Sequence, residues 1–170
     1  MNLLFDFTVD KAAKTIYITR EFAADQDLVW DAFTKAEFLD KWQAPKPYTL
    51  YTKEMDFRVG GRWLYAMVAP GMSPETAHQY SMVEYLEIRP KTSFSTRNTF
   101  ADENGNPRTN AFSLVKNTFK QGNGITTVYI EKRFEDLAVL EMMATLGFKE
   151  GTIAGFGNLD ELFRNLVTSK

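Results

Sequence analysis

Apolar and polar positions change period along the chain, and each change predicts an element. Thr15–Phe22 (TIYITREF) alternates β-branched and aromatic residues with polar ones, the period of two expected of a strand. From Asp25 the period lengthens. Asp25 can cap a helix in which Val29, Trp30 and Phe33 recur at helical spacing. Thr34 and Glu37 stand in the Thr-x-x-Glu relation of a capping box, which predicts a second short helix through Phe38, Leu39 and Trp42. Ala44-Pro45-Lys46-Pro47 stops it, because proline lacks the N–H that a helix interior needs.

Strand signals then follow in series. Tyr48–Arg58 reads as a strand, and Gly60-Gly61 turns it into Arg62–Ala69. A loop with Pro70-Gly71 and Pro74 leads to Gln79–Ile88, and Thr92–Phe100 comes next. Asn104-Gly105 is the strongest short hairpin signal, and Gly122-Asn123-Gly124 separates Thr109–Phe119 from Ile125–Phe134. Short turns between consecutive strands predict an antiparallel meander rather than βαβ units. The chain closes with a short helical run, Leu137–Thr145, and a long helix from Lys149 to Val167. Its stripe is Ile153, Phe156, Leu159, Leu162, Phe163 and Leu166. The fold class is α+β: a sheet of about seven strands, two short helices after the first strand, and a long C-terminal helix.

Gly147, Gly151, Gly155 and Gly157 crowd the start of that last helix, where each interior glycine costs roughly 0.5–1 kcal/mol relative to alanine. Two explanations apply. A glycine face lets the helix backbone approach its neighbours closely, or it leaves volume between helix and sheet for a ligand.

Composition narrows the chemistry. The 170 residues fit one domain with a sizeable core. Zero cysteine excludes disulfides, thiolate metal sites and cysteine nucleophiles, and the lone His78 excludes a site needing two imidazoles from one chain. A net charge of −2 gives no broad attraction to nucleic acid or anionic membranes. No signal peptide and no apolar run of ~20 residues is present, so a soluble protein of a reducing cytoplasm is expected. What the composition does supply is aromatic side chains: 14 Phe, 7 Tyr and 3 Trp.

Several local motifs carry a family resemblance. Arg20-Glu21-Phe22, Val29-Trp30-Asp31-Ala32-Phe33-Thr34, and Phe38-Leu39-Asp40-Lys41-Trp42 with Pro45 resemble the opening of the Bet v 1/START-like superfamily. The closer likeness is to its branch of activator of Hsp90 ATPase homologue-like proteins, within the SRPBCC group. Met55-Asp56-Phe57-Arg58-Val59-Gly60-Gly61-Arg62-Trp63 is similar to that branch's Gly-Gly-x-aromatic hairpin. Tyr85-Leu86-Glu87-Ile88 with Pro90 is similar to its middle strand, and Gly147-Phe148-Lys149-Glu150-Gly151 with Leu159 and Leu162 to its last helix. The chain departs from the pattern at Phe148, where tryptophan is common, at Ala24, and at Lys35-Ala36. The resemblance implies a helix-grip fold, in which a curved antiparallel sheet grips the last helix around a hydrophobic cavity. It also implies that the separate Hsp90-binding domain of the eukaryotic co-chaperone has no counterpart in this one domain.

Candidate residues follow from the strands. Trp63, Tyr65 and Met67 alternate with Arg62, Leu64 and Ala66, and their size assigns them to the concave side. Met82, Phe148, Phe156 and Phe163 are expected to line the same space, although a filled core would use the same residues. His78 and Glu84 are the weak candidates for acid–base catalysis. Asp102-Glu103-Asn104-Gly105-Asn106 fails as a calcium loop, since Pro107 and Ser113 stand where glycine and a bidentate glutamate belong. Glu131, Lys132, Arg133, Glu135 and Asp136 read as a solvated strand end. No metal and no cofactor is expected. The expected function is non-catalytic binding of a small apolar or amphipathic molecule. The alternatives are a cyclase- or hydratase-like enzyme and a chaperone-interacting protein, with a protein partner or homodimer compatible with each.

Overall fold

The computed structural model describes residues 2–168, with side chains through Leu166. Strand β1 (Phe5–Asp10) turns into β2 (Thr15–Phe22), and helices α1 (Gln26–Thr34) and α2 (Ala36–Trp42) carry the chain to β3 (Thr49–Met55). A meander continues through β4 (Arg62–Val68), β5 (Tyr80–Arg89), β6 (Ser93–Ala101), β7 (Ser113–Gly122) and β8 (Ile125–Phe134). Helices α3 (Leu137–Thr145) and α4 (Phe148–Thr168) close it. The eight strands form one curved antiparallel sheet in the order β1-β2-β8-β7-β6-β5-β4-β3. Because β2 and β3 sit towards opposite edges, the α1–α2 pair must cross the width of the sheet, and it does so on the same side as α4.

The sheet therefore has one strand more than the seven expected. The added strand is β1, in which Phe5, Phe7 and Val9 alternate with Asp6, Thr8 and Asp10. It is an edge strand with only Phe5 and Phe7 partly covered, so its pattern is weak. Those two rings matter to the last helix. Phe5 meets Phe156 edge-on at 6.4 Å, and Phe7 lies 6.1 Å from Phe148.

Helix ends show which local signals are used. The Asp25 carboxylate accepts the Leu28 N–H at 2.8 Å, the expected cap of α1. The capping box does not form. Thr34 is the last, buried residue of α1, and its hydroxyl donates back one turn to the Trp30 carbonyl at 2.7 Å. Helix α2 starts after Lys35 with no side-chain cap. Its other end is held from outside: the Asn158 side-chain amide of α4 donates to the carbonyls of Trp42 (3.2 Å) and Ala44 (3.0 Å).

The core is aromatic and packs edge to face, the arrangement that ring quadrupoles favour. Phe22 meets Phe33, Phe156 and Phe163 at 6.2, 5.4 and 5.9 Å. Trp30 meets Phe94 and Phe119 at 5.7 and 5.2 Å, fixing α1 over the middle strands. In α4 the buried stripe is Phe156, Leu159 and Phe163. Ile153, expected in that stripe, is turned to solvent and 48% exposed, while Thr152 and Gly155 take the inward positions.

Candidate functional site: a cavity between sheet and last helix

The concave face of the sheet does not fill completely against the helices. A cavity of about 800 Å³ remains between β4–β8, α2, α3 and the first half of α4. Strand pairing builds its wall in cross-strand rows, because residues facing each other across antiparallel strands share a face. One row runs Trp63–Val83–Asn98–Ser113–Phe134. The next runs Tyr85–Thr96–Val115–Lys132–Ile16. Helix residues close the other side, with Trp42 from α2, Met142 and Met143 from α3, and Phe148 and Phe156 from α4.

The clustered glycines divide between the two explanations offered by the sequence. A Cβ on Gly155 would stand 3.3 Å from the Gln43 carbonyl oxygen and 3.4 Å from that of Trp42, so this glycine permits the close contact of α4 with α2. A Cβ on Gly151 would meet nothing within 4 Å, and Gly151 lines the cavity. There the absent side chain is open volume.

Of the residues expected around this space, Trp63, Tyr65, Met67, Phe148 and Phe156 line it. The Trp63 and Tyr65 rings stack at 4.1 Å, and Met67 sits at the rim, 45% exposed. Met82 is a correction. Val83, not Met82, faces Trp63 across β4–β5, so Met82 pairs with Leu64 on the opposite face. It joins a second buried cluster there with Ala66, Tyr80 and Ala101. Phe163 is a second correction: two turns beyond Phe156, it is buried on Phe22 in the core rather than in the cavity wall.

The acid–base candidates lie elsewhere. His78 is exposed in the loop before β5, its carbonyl accepting from the Arg108 guanidinium. Glu84 shares the outer face with Met82 and stands across from Arg62 and Arg97. Neither contributes to the cavity lining. The Asp102 carboxylate accepts the N–H groups of Asn104 and Asn106, each at 2.9 Å, as a hairpin turn requires.

Polar side chains also line the cavity, among them Gln43, Ser81, Thr96, Asn98, Ser113 and Asn117. A chain of hydrogen bonds orients Trp63: its indole N–H donates to Thr52 Oγ1 at 3.1 Å, and Thr52 donates to Asp40 at 2.5 Å. Partial burial raises the Asp40 pKa, and the Thr52 bond lowers it in part. Burial pushes the Tyr85 phenol well above its ordinary range, with the nearby Tyr65 adding to the effect. Tyr65 is raised by burial too, offset by a Ser81 hydrogen bond. Both are therefore neutral phenols at pH 7, able to donate a hydrogen bond.

Lys132 lines the cavity as well. It was assigned to a solvated strand end, yet it follows Val128 and Ile130 and precedes Phe134 on the inner face of β8. That period of two was legible in the sequence. Its ammonium stands 5.6 Å from the ring centres of both Phe134 and Phe148. Among the described residues no carboxylate pairs with it, and desolvation lowers its pKa to about 8. A cavity with aromatic and aliphatic walls, several neutral polar side chains and a single lysine can enclose an apolar body and address polar groups on it.

No described helix is long and apolar enough to cross a membrane. No curated protein matches the chain significantly. Among solved structures, protein Ms6760 from Mycobacterium smegmatis is similar at 25% identity and a TM-score of 0.83, covering 97% of this chain and 99% of its own. A protein from Staphylococcus epidermidis is 25% identical with a TM-score of 0.79, over 93% and 94% of the two chains. A protein from Arthrobacter aurescens shares the fold at 23% identity and a TM-score of 0.79, over 91% and 88%. The family model described as activator of Hsp90 ATPase homolog 1-like protein matches residues 23–164, and the chain belongs to that family.

Proposed function

We propose that this protein binds a small apolar or amphipathic molecule in the cavity between the sheet and α4, without chemical change to it. The observation that carries the reading is the preformed space of about 800 Å³, of the size and character of small-molecule sites. Its aromatic walls are already held in place: Trp63 by Thr52, and Phe156 between Phe5 and Phe22. Little ordering then remains to oppose binding. Gly151 supports the same reading, because a helix that loses stability to a glycine gains free volume beside the sheet in return. His78 and Glu84 stand outside the cavity lining, which favours binding over acid–base chemistry at those two residues.

Native mass spectrometry of the purified protein tests this. The expected spectrum contains the chain plus a small molecule that is released as collision energy rises. A Gly151→Phe variant, whose ring would project into the cavity, is expected to lack the added mass. Bare chain in every preparation, together with no uptake of added decanol, would contradict the proposal.

A further inference from the structure

Lys132 carries the only charge among the described residues that line the cavity. The nearby acidic groups are engaged or directed elsewhere. Glu131 is exposed on the neighbouring position of β8, which faces the other side of the sheet. The Asp136 carboxylate caps α3 by accepting the Ala138 N–H at 2.9 Å, and Glu141 pairs with Lys11 on the surface. The fold thus places a cation beside the rings of Phe134 and Phe148 and supplies no anion to balance it. Interaction with ring faces offsets part of the desolvation cost of an ammonium, but a charge removed from water is fully compensated only by an opposite charge with hydrogen bonds.

Two further groups sit beside it. Val115 faces Lys132 across β7–β8, so Ser113 and Asn117, two positions to either side of Val115, are its diagonal neighbours on the concave face. Both line the cavity and are more than nine-tenths buried, at 5% and 7% exposure. Neither side chain makes a hydrogen bond among the described residues. Their polar atoms open onto the cavity, where a bound group can take the hydrogen bonds that the protein does not supply. All three groups are donors, but Ser113 and Asn117 stand four residues apart on one strand, roughly 13 Å, so a carboxylate held by the Lys132 ammonium accepts in addition from one of these two neighbours.

We propose, building on the ligand-binding reading above, that the molecule taken up is an organic acid. Its apolar body lies against Trp42, Phe148 and Phe156, and its carboxylate is received by Lys132 together with one of its diagonal neighbours, Ser113 or Asn117. A cationic head group is disfavoured by like charge, and a neutral alcohol forfeits the ion pair. The ammonium acts as a point charge in a low-dielectric wall, where such a pair is far stronger than in water.

Calorimetric titration with decanoate and decanol, at pH 7, separates head group from body. Wild type is expected to bind the acid at least about tenfold more tightly than the alcohol. Lys132→Met is expected to lose that preference, and Lys132→Arg is expected to retain it. Equal affinities in wild type, or an acid preference that survives Lys132→Met, would overturn the assignment while decanol binding kept the cavity reading intact. If neither compound binds, the cavity reading falls and this inference falls with it. Lys132→Gln provides the same comparison if the methionine variant does not fold.

Discussion

The ammonium of Lys132 on β8 and the ring of Phe148 at the start of α4 lie 5.6 Å apart, joining the sheet wall of the cavity to the helix that closes it. The contact depends on a sharp reversal between α3 and α4. Gly147 makes it with φ +88°, a conformation that residues with a Cβ rarely adopt. Phe148 is also held from behind by Phe7 of the edge strand. A charged side chain is thereby kept half-buried beside an aromatic cover.

That burial has a pH signature. With its pKa lowered from 10.5 to about 8, Lys132 binds its proton less readily in the folded chain than in the unfolded one. The resulting penalty is full below about pH 8 and disappears as pH rises from there towards 10.5. Lys132→Met is therefore expected to be more stable than wild type at pH 7, by about 1–2 kcal/mol once water in the cavity is allowed for. Urea unfolding of both proteins between pH 7 and about pH 10 should show the gap closing as pH rises. A gap that widens would contradict the assignment.

The glycines of α4 should separate by role. Gly157 faces open space, so Gly157→Ala is expected to stabilise the protein by roughly 0.5–1 kcal/mol through helix propensity alone. Gly155→Ala gains the same propensity but forces a methyl against the carbonyls of Gln43 and Trp42, and is expected to yield no net gain or a loss. Thermal unfolding of the two variants tests the contrast.

Asn158 ties α4 to the carbonyl end of α2. Asn158→Ala removes both donors and is expected to cost about 1–3 kcal/mol. Hydrogen exchange should report it locally, with protection falling at the C-terminal turn of α2 before the central strands are affected.

The main course of the fold was legible in the sequence because its periodicities are strong. The boundaries of β2, β8 and α3 coincide with their apolar patterns; a buried face defines the two strands, whereas α3 buries only Leu140. Strand β1 was obscured by its edge position, where only alternate Phe residues are covered. The capping box failed because Thr34 had a competing partner in its own helix, which a spacing rule does not register. In the candidate site, Trp63, Tyr65 and Met67 followed from alternation within one strand. Met82 required the register between strands, and a shift of one residue exchanges the faces. Lys132 was hidden by its type: a lysine among Glu131, Arg133 and Glu135 reads as surface unless its neighbours two positions away are weighed first.

The methionines provide the most direct measurement of where a ligand sits. Met67, Met142 and Met143 line the cavity, whereas Met55, Met72 and Met82 do not. With carbon-labelled methionine methyl groups, NMR titration with decanol is expected to shift the first three signals together, saturably, and leave the other three in place. Shifts at Met72 or Met82 without the cavity set, or no saturable shift at any methionine, would contradict a ligand held between the sheet and the last helix.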